Sequence, residues 1–256
     1  MGRQEELNPG MRHILVDWLY ELYDELELST EVLLQGTYHV DRFLSTQHVP
    51  RDALQLVGAV SLMLASNHFC KLPHQDGDPP MREHSLNHAD DVVYWTDGTY
   101  TVEQVVEMEA RVLFGFEVGE WESPLHFLTL ACASATLPDV TISLAVELLV
   151  VCAKEYTLLR VHPRLIAACA LYLAVKNTRT STMAVKSTML AGAPPTQEIA
   201  WTSELASRCG YPTAVIKEHI SREFCMLDGK ELRCRSCASG RTVRDRPIHI
   251  LLFTHG

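Results

Sequence analysis

Apolar residues recur every three or four positions along most of the chain, which is the period of an amphipathic α-helix. The first stripe consists of Met11, Ile14, Leu15, Trp18, Leu19 and Leu22. A second helix is predicted from Ser29 or Thr30, both suitable N-caps, to about Ser45. After Pro50 and Asp52 the segment LQLVGAVSLMLAS is apolar nearly all round, which is typical of a central helix.

Capping signals predict further helices. Thr101 and Gln104 form a capping box before VEQVVEMEARVLFGF. Ser123 and Pro124 begin a second helical set, with LHFLTLACASAT, VTISLAVELLVVCAKEY, PRLIAACALYLAV and YPTAVIKEHISREFCML. Each half has about five helices, and the third is the most apolar. We therefore predict an all-α fold made of a duplicated unit of roughly 100 residues.

Three segments interrupt the helical pattern. Residues 67–89 are polar and rich in Pro, Asp and His, and they are predicted to form an inserted loop. Residues 186–203 are rich in Ala, Pro and Thr and are predicted as a second insert. Residues 230–256 are basic and have no helical stripe, so we expect a non-helical, disordered tail.

Charge and composition narrow the choice of partners. The net charge of -10 argues against nucleic acid, because binding to phosphates needs a basic face. The longest apolar runs, such as 165–175, fall short of the roughly 20 residues of a membrane helix, so no membrane partner is expected. Five of the eight cysteines lie singly in helical patterns, which favours reduced thiols in the core: Cys132, Cys152, Cys169, Cys209 and Cys225.

Several motifs occur in an order that resembles a known family. The stretch MRHILVDWLYELYDELELSTEVLLQGTYHVDRFLS resembles the opening of the cyclin box, and LQLVGAVSLMLAS and VVYWTDGTYTVEQVVEMEARVL continue it. The likeness is to A-, B-, E- or F-type cyclins. It implies two tandem five-helix cyclin boxes, which we place at residues 9–118 (the first box) and 119–229 (the second box). It also implies a regulatory subunit that is not an enzyme and needs no cofactor, in the nucleus and cytoplasm.

An arginine and an aspartate lie inside apolar helices, where ionised groups are rare unless they are paired. The resemblance implies that Arg12 pairs with Asp41 and ties the first helix to the second. A catalytic role for the pair is disfavoured, because no nucleophile, metal motif or phosphate-binding loop accompanies it.

The resemblance also implies a surface patch that binds RxL segments of substrate or inhibitor proteins. An apolar groove takes the leucine of such a segment and a carboxylate takes its arginine. The matching positions are Met11, Ile14, Leu15, Trp18, Glu21, Leu54 and Gln55. Their helical spacing is equally typical of core residues.

The partner implied by the resemblance is a cyclin-dependent protein kinase, which cyclins bind through a lysine and a glutamate. Glu109 matches the glutamate, but Asn67 stands where the family has the lysine. Loss of a charge-assisted hydrogen bond at an interface costs about 1.5–3 kcal/mol. We therefore expect weakened rather than abolished kinase binding.

Two other functions stay open. One is a kinase-independent substrate adaptor of the F-type cyclin kind, acting with a ubiquitin ligase, which the missing lysine favours. The other is a cyclin-fold transcription factor, which the net charge of -10 disfavours.

Two groups of metal-type ligands are not expected to hold a metal. One lies in the first insert, where nothing orders the loop around an ion: Cys70, His74, His84 and His88. The other has nearly the spacing of a zinc finger: Cys234, Cys237, His249 and His255. Pro247 precedes its first histidine, where a finger needs a continuing helix.

Overall fold

The computed structural model describes residues 4–70, 86–114, 122–133, 135–188, 200–227 and 231–234. Within these ranges the chain forms ten α-helices and one two-stranded hairpin. The first box contains α1 Pro9–Glu25, α2 Thr30–Thr46, α3 Leu54–Cys70, α4 Ala89–Trp95 and α5 Val102–Phe114. The second contains α6 Pro124–Cys132, α7 Asp139–Lys154, α8 Pro163–Thr188, α9 Ser203–Cys209 and α10 Thr213–Glu223. The prediction of two tandem five-helix units is confirmed.

Local capping explains where several helices begin. The Ser29 hydroxyl accepts a hydrogen bond from the Val32 amide, so α2 begins at Thr30 as predicted. The Thr101 amide donates to Gln104 Oε1 at 2.9 Å, and the Gln104 amide donates back to Thr101 Oγ1 at 3.4 Å. This reciprocal pair is the predicted capping box of α5.

Each box is built around its third helix. In the first box α3 packs against α1, α2 and α5, and it buries Val57, Val60 and Met63. In the second box α8 packs against α6, α7 and α10 and buries Ala168 and Leu171. A helix that is apolar on all sides is stable only when neighbours cover it on all sides, so these two helices lie at the centre of their boxes.

Two helices extend into the ranges that were predicted to be inserts. Helix α3 runs through Asn67 to Cys70, and α8 runs to Thr188, so both predicted inserts began too early. The positions 71–85 and 189–199 lie outside the described residues. Helix α9 had no counterpart in the pattern, although Thr202 caps its start and Gly210 its end.

The end of the second box corrects two predictions. The helix expected to run to Leu227 ends at Glu223, and β1 Phe224–Leu227 pairs antiparallel with β2 Glu231–Cys234. Four residues of the tail expected to be disordered therefore form a strand. The reason is visible in the sequence, because Asp-Gly at 228–229 is a strong hairpin signal between two four-residue segments. The tail from 235 to 256 lies outside the described residues.

The two boxes share side chains at their interface. Leu34 of α2 belongs to the apolar cluster of the second box, and Val150 of α7 belongs to that of the first. Nearby, the Ser123 hydroxyl donates to Glu31 Oε2 at 2.9 Å. Burial raises the pKa of Glu31, against the opposing effect of that hydrogen bond. Apolar and polar contacts thus both hold the boxes together.

Four of the five cysteines predicted as reduced thiols have described side chains and are free thiols: Cys132, Cys152, Cys169 and Cys209. Cys132 is half-buried rather than in the core, and Cys225 lies in β1 rather than in a helix. Burial raises the pKa of Cys169 to about 12 and that of Cys209 to about 11, so both stay protonated at neutral pH. No helix in the described part of the chain is long and apolar enough to cross a membrane.

Candidate protein-docking surfaces

Arg12 is a fully buried cation, with 0% of the residue exposed. Its Nε donates to Asp41 Oδ1 at 2.6 Å, and its Nη2 donates to Asp41 Oδ2 at 2.7 Å. Its Nη1 also donates to the backbone oxygen of Lys154, and its Nη2 to that of Ala153, both at 3.0 Å. Those carbonyls end α7, where a helix lacks internal donors and has the negative end of its dipole. Arg12 therefore joins α1, α2 and α7.

A second polar contact joins α1 to the end of α7. Lys154 Nζ lies 2.8 Å from Asp17 Oδ1 and 4.2 Å from the centre of the Tyr20 ring. Both charged side chains are partly exposed, so the ion pair contributes less than the buried one at Arg12. The contact holds the Asp17 and Tyr20 side chains of α1 against the end of α7 in the second box.

The seven residues of the predicted RxL patch fall into three groups by exposure. Leu15 and Leu54 are buried and belong to the core of the first box. The half-buried members are Met11, Trp18 and Gln55. Ile14, with 69% exposed, and Glu21 are on the surface. Met11 and Trp18 also pack against this core, so the core interpretation applies to four members. The two exposed members, Ile14 and Glu21, lie two turns apart on α1.

The patch lies where α1 crosses α3 closely. A Cβ on Gly58 would lie 2.6 Å from Leu15 Cδ1, so only glycine admits Leu15 at this position without a shift. Successive side chains of a helix point in directions about 100° apart, so Leu15 packs in the core and the neighbouring Ile14 faces outward.

The structure places Asn67 at the base of α4. Its Nδ2 donates to the backbone oxygen of Asn87 at 2.9 Å, and the hydroxyl of Ser66 donates to Asn87 Oδ1 at the same distance. Asn87 is the residue before the N-cap of α4, His88. The residue that replaces the family lysine therefore anchors the chain where it enters α4, and its side chain is half-buried.

Glu109 lies on the outer face of α5, where it is half-buried and has no ion-pair partner among the described residues. Three apolar side chains share this face, the second four and the third eleven residues after the first. They are Val102, Val106 and Leu113, which are 37%, 51% and 52% exposed. We call these four residues the α5 stripe. The adjacent face, about a quarter turn away around the helix, is buried in the core: Val105, Met108 and Val112.

The sequence pattern named Glu109 but not the apolar members of the α5 stripe. The signal was present, because α5 carries apolar residues on two faces and one core can cover only one of them. Asn67 and Glu109 lie on helices that pack against each other, α3 and α5. Their side chains do not hydrogen-bond to each other in the described structure.

Both groups of metal-type residues lie mainly outside the described residues. His74, His84, Cys237, His249 and His255 fall in ranges that the structure does not describe. His88 is described, and it is exposed at the N-cap of α4.

Comparison with known proteins gives matches across both boxes. Residues 1–118 match the family model described as cyclin, N-terminal domain, and residues 123–223 match the model described as cyclin, C-terminal domain. The G2/mitotic-specific cyclin-B2 of Rana japonica is 36% identical over 173 residues, which cover 67% of this chain and 41% of that protein. Cyclin-B2-1 of Arabidopsis thaliana is 37% identical over 179 residues, covering 68% of this chain and 38% of that protein. The chain thus spans about two-fifths of the length of these curated relatives.

A solved structure with a similar fold is the X-ray structure of a viral cyclin from herpesvirus saimiri. The TM-score is 0.63, and the match covers 85% of this chain and 84% of that one. The sequence identity is 17%, so this likeness concerns the fold alone.

Proposed function

We propose that this chain, which belongs to the cyclin family, is the regulatory subunit of a cyclin-dependent protein kinase. It binds and activates the kinase and recruits RxL-containing proteins to it. The relatives named as G2/mitotic-specific cyclins support a role in cell division. The chain itself catalyses no reaction, and it acts in the nucleus and cytoplasm.

The observation that carries the kinase proposal is the α5 stripe. An exposed apolar row on a short helix remains in water unless a partner covers it. Glu109 lies within the row, has no ion-pair partner in the described part of the chain, and can accept hydrogen bonds from backbone N–H groups of the partner. Binding would favour the kinase conformation whose lysine–glutamate pair and activation loop are correctly placed.

Asn67 is expected to lower the affinity for the kinase without abolishing binding. Its amide already donates to Asn87, so it offers the kinase a weaker contact than a free lysine ammonium would. We expect affinity to depend more on the apolar members of the α5 stripe than on the end of α3. The same observation favours the second candidate, a substrate adaptor that works without a kinase.

The test is a binding assay of the purified chain against a panel of cyclin-dependent kinases, followed by kinase activity on a histone-type substrate. Val106→Asp places a charge in the middle of the α5 stripe and should lower kinase affinity by at least about tenfold, since it exposes no new core. Glu109→Ala should weaken binding less. The matched control is Val140→Asp, a similarly exposed valine at 53% on α7 of the second box.

Three outcomes separate the candidates. Binding and activation that Val106→Asp reduces and Val140→Asp spares support the kinase proposal. Equal effects of the two variants contradict the assignment of the α5 stripe. If the wild-type chain binds an RxL peptide but no kinase, and Asn67→Lys restores kinase binding, the adaptor interpretation replaces it.

The RxL part of the proposal has its own test. A fluorescent RxL peptide should bind Ile14→Asp about tenfold more weakly than the wild type, because the change puts a carboxylate in the apolar patch that we propose takes the peptide leucine. Glu21→Gln should lower the affinity for the arginine-containing peptide. It should lower the affinity less for a peptide in which norleucine replaces that arginine. Unchanged binding in both variants would contradict the patch.

A further inference from the structure

A cleft of about 480 Å³ opens between the two boxes. One side is α2, and the other is the end of α7 with the 3₁₀ turn Tyr156–Arg160 and the beginning of α8. The Arg12–Asp41 pair forms part of its lining. Neither the residues of the RxL patch nor those of the α5 stripe line it, so it is separate from both surfaces proposed above.

The cleft has the size and lining of a site for apolar side chains. Its volume lies within the roughly 300–1,000 Å³ that is common for ligand pockets. Leu34, Leu149 and Leu158 line it as buried residues, and Leu159 lines it with 44% of its surface exposed. A buried apolar floor with an exposed leucine beside it can take one or two large apolar side chains from a partner.

The free charges of the cleft are positive. Arg42 is half-buried, Arg160 is exposed, and neither side chain has an ion-pair partner among the described residues. The acidic lining residue Asp41 is already engaged by Arg12. Two guanidinium groups that pair with no carboxylate of the described ranges thus border an apolar floor, on a chain whose net charge is -10.

We infer that this cleft docks an acidic linear segment of a partner protein. An apolar side chain of the segment enters between α2 and the 3₁₀ turn, and neighbouring Asp or Glu carboxylates accept hydrogen bonds from Arg42 and Arg160. Guanidinium groups bind carboxylates in a two-pronged geometry, which fixes the orientation of the segment. The selectivity is opposite in sign to that of the RxL patch, where Glu21 favours a cation.

The experiment selects random displayed peptides on the full chain, with counter-selection on the variant Arg42→Glu/Arg160→Glu. The peptide enriched most is then synthesised with a fluorescent label, together with a neutral form in which Asp and Glu become Asn and Gln. Affinities are measured by fluorescence polarisation for the wild type, the charge-reversed variant and Ile14→Asp. Thermal melting of each variant checks that it folds.

The expected peptide has an apolar residue beside at least two acidic ones. Its affinity should fall by about ten- to hundredfold in Arg42→Glu/Arg160→Glu and also in the neutral form, and should be unchanged in Ile14→Asp. If the variant melts differently, the neutral peptide on the wild type decides alone. Enriched peptides without acidic residues, equal affinities of the acidic and neutral peptides, or loss of binding in Ile14→Asp would each overturn the inference.

Discussion

Asp41→Ala removes the carboxylate that accepts two hydrogen bonds from the buried Arg12 guanidinium. Removal of one partner from a buried ion pair costs about 3–5 kcal/mol, because the other charge is left uncompensated. Arg12 would keep two carbonyl acceptors on α7, and the Asp41 side chain is 15% exposed toward the cleft, so water can enter. We therefore expect the lower end of the range, about 3 kcal/mol. This is a large loss, because the free energy of unfolding of a typical protein is only about 5–15 kcal/mol.

The assay is urea unfolding followed by far-ultraviolet circular dichroism, with the free energy of unfolding obtained by linear extrapolation. A double-mutant cycle with Arg12→Met isolates the pair. The double variant leaves no unpaired charge, so its loss should be smaller than the sum of the single losses by about 1–3 kcal/mol. The control is Arg51→Met at an exposed arginine of the same box, with an expected change within about 0.5 kcal/mol.

Two results would refute this reasoning. One is a loss below about 1 kcal/mol for Asp41→Ala, the value typical of an exposed pair. The other is strict additivity in the cycle, which would mean that Arg12 is held by the α7 carbonyls alone.

Three further predictions concern stability. Burial lowers the pKa of His39 from its usual 6.5 to about 4, so the unfolded chain binds the extra proton first as the pH falls. The free energy of unfolding should therefore drop by up to about 3 kcal/mol between pH 6.5 and 4, and His39→Gln should flatten that slope in urea titrations at a series of pH values. Gly210→Ala should lower the free energy of unfolding in urea by about 1–2 kcal/mol, because Gly210 has a φ of +78° and a Cβ would lie 2.7 Å from Arg164 Cζ. The control is Gly98→Ala, at a φ of +65° with open space around it, which measures backbone strain without the clash. Thr101→Ala removes the capping box of α5 and should cost about 1 kcal/mol by the same assay, and an effect no larger than that of Thr129→Ala would contradict the cap.

Local signals in the sequence predicted the starts of helices well. The caps at Ser29, Thr101 and Ser123 act within three residues, so their effect is readable without the rest of the fold. The central positions of α3 and α8 also followed from the sequence, because a helix that is apolar all round has to be covered. The ends of α3 and α10 were placed wrongly, since neither has a strong stop signal at the observed residue.

Contacts between the boxes could not be predicted in the same way. The resemblance led to the pairing of Arg12 with Asp41, but the bonds from Arg12 to Ala153 and Lys154 join residues more than 140 positions apart. They depend on how α7 packs against α1, which no local pattern encodes. The cleft beside them was unpredictable for the same reason, because its two sides come from different boxes.

The exchange of Leu34 and Val150 between the two apolar clusters affects how such a protein can change over generations. Two copies of a duplicated unit begin as separable modules, each filling its own interior. Here each box contributes a side chain to the core of the other. A box that is replaced by recombination must therefore have a core that accommodates the leucine or valine of the box that remains. The pair is then inherited as one indivisible block, and chimaeras joined between α5 and α6 should fold only when positions 34 and 150 are carried over as a matched set.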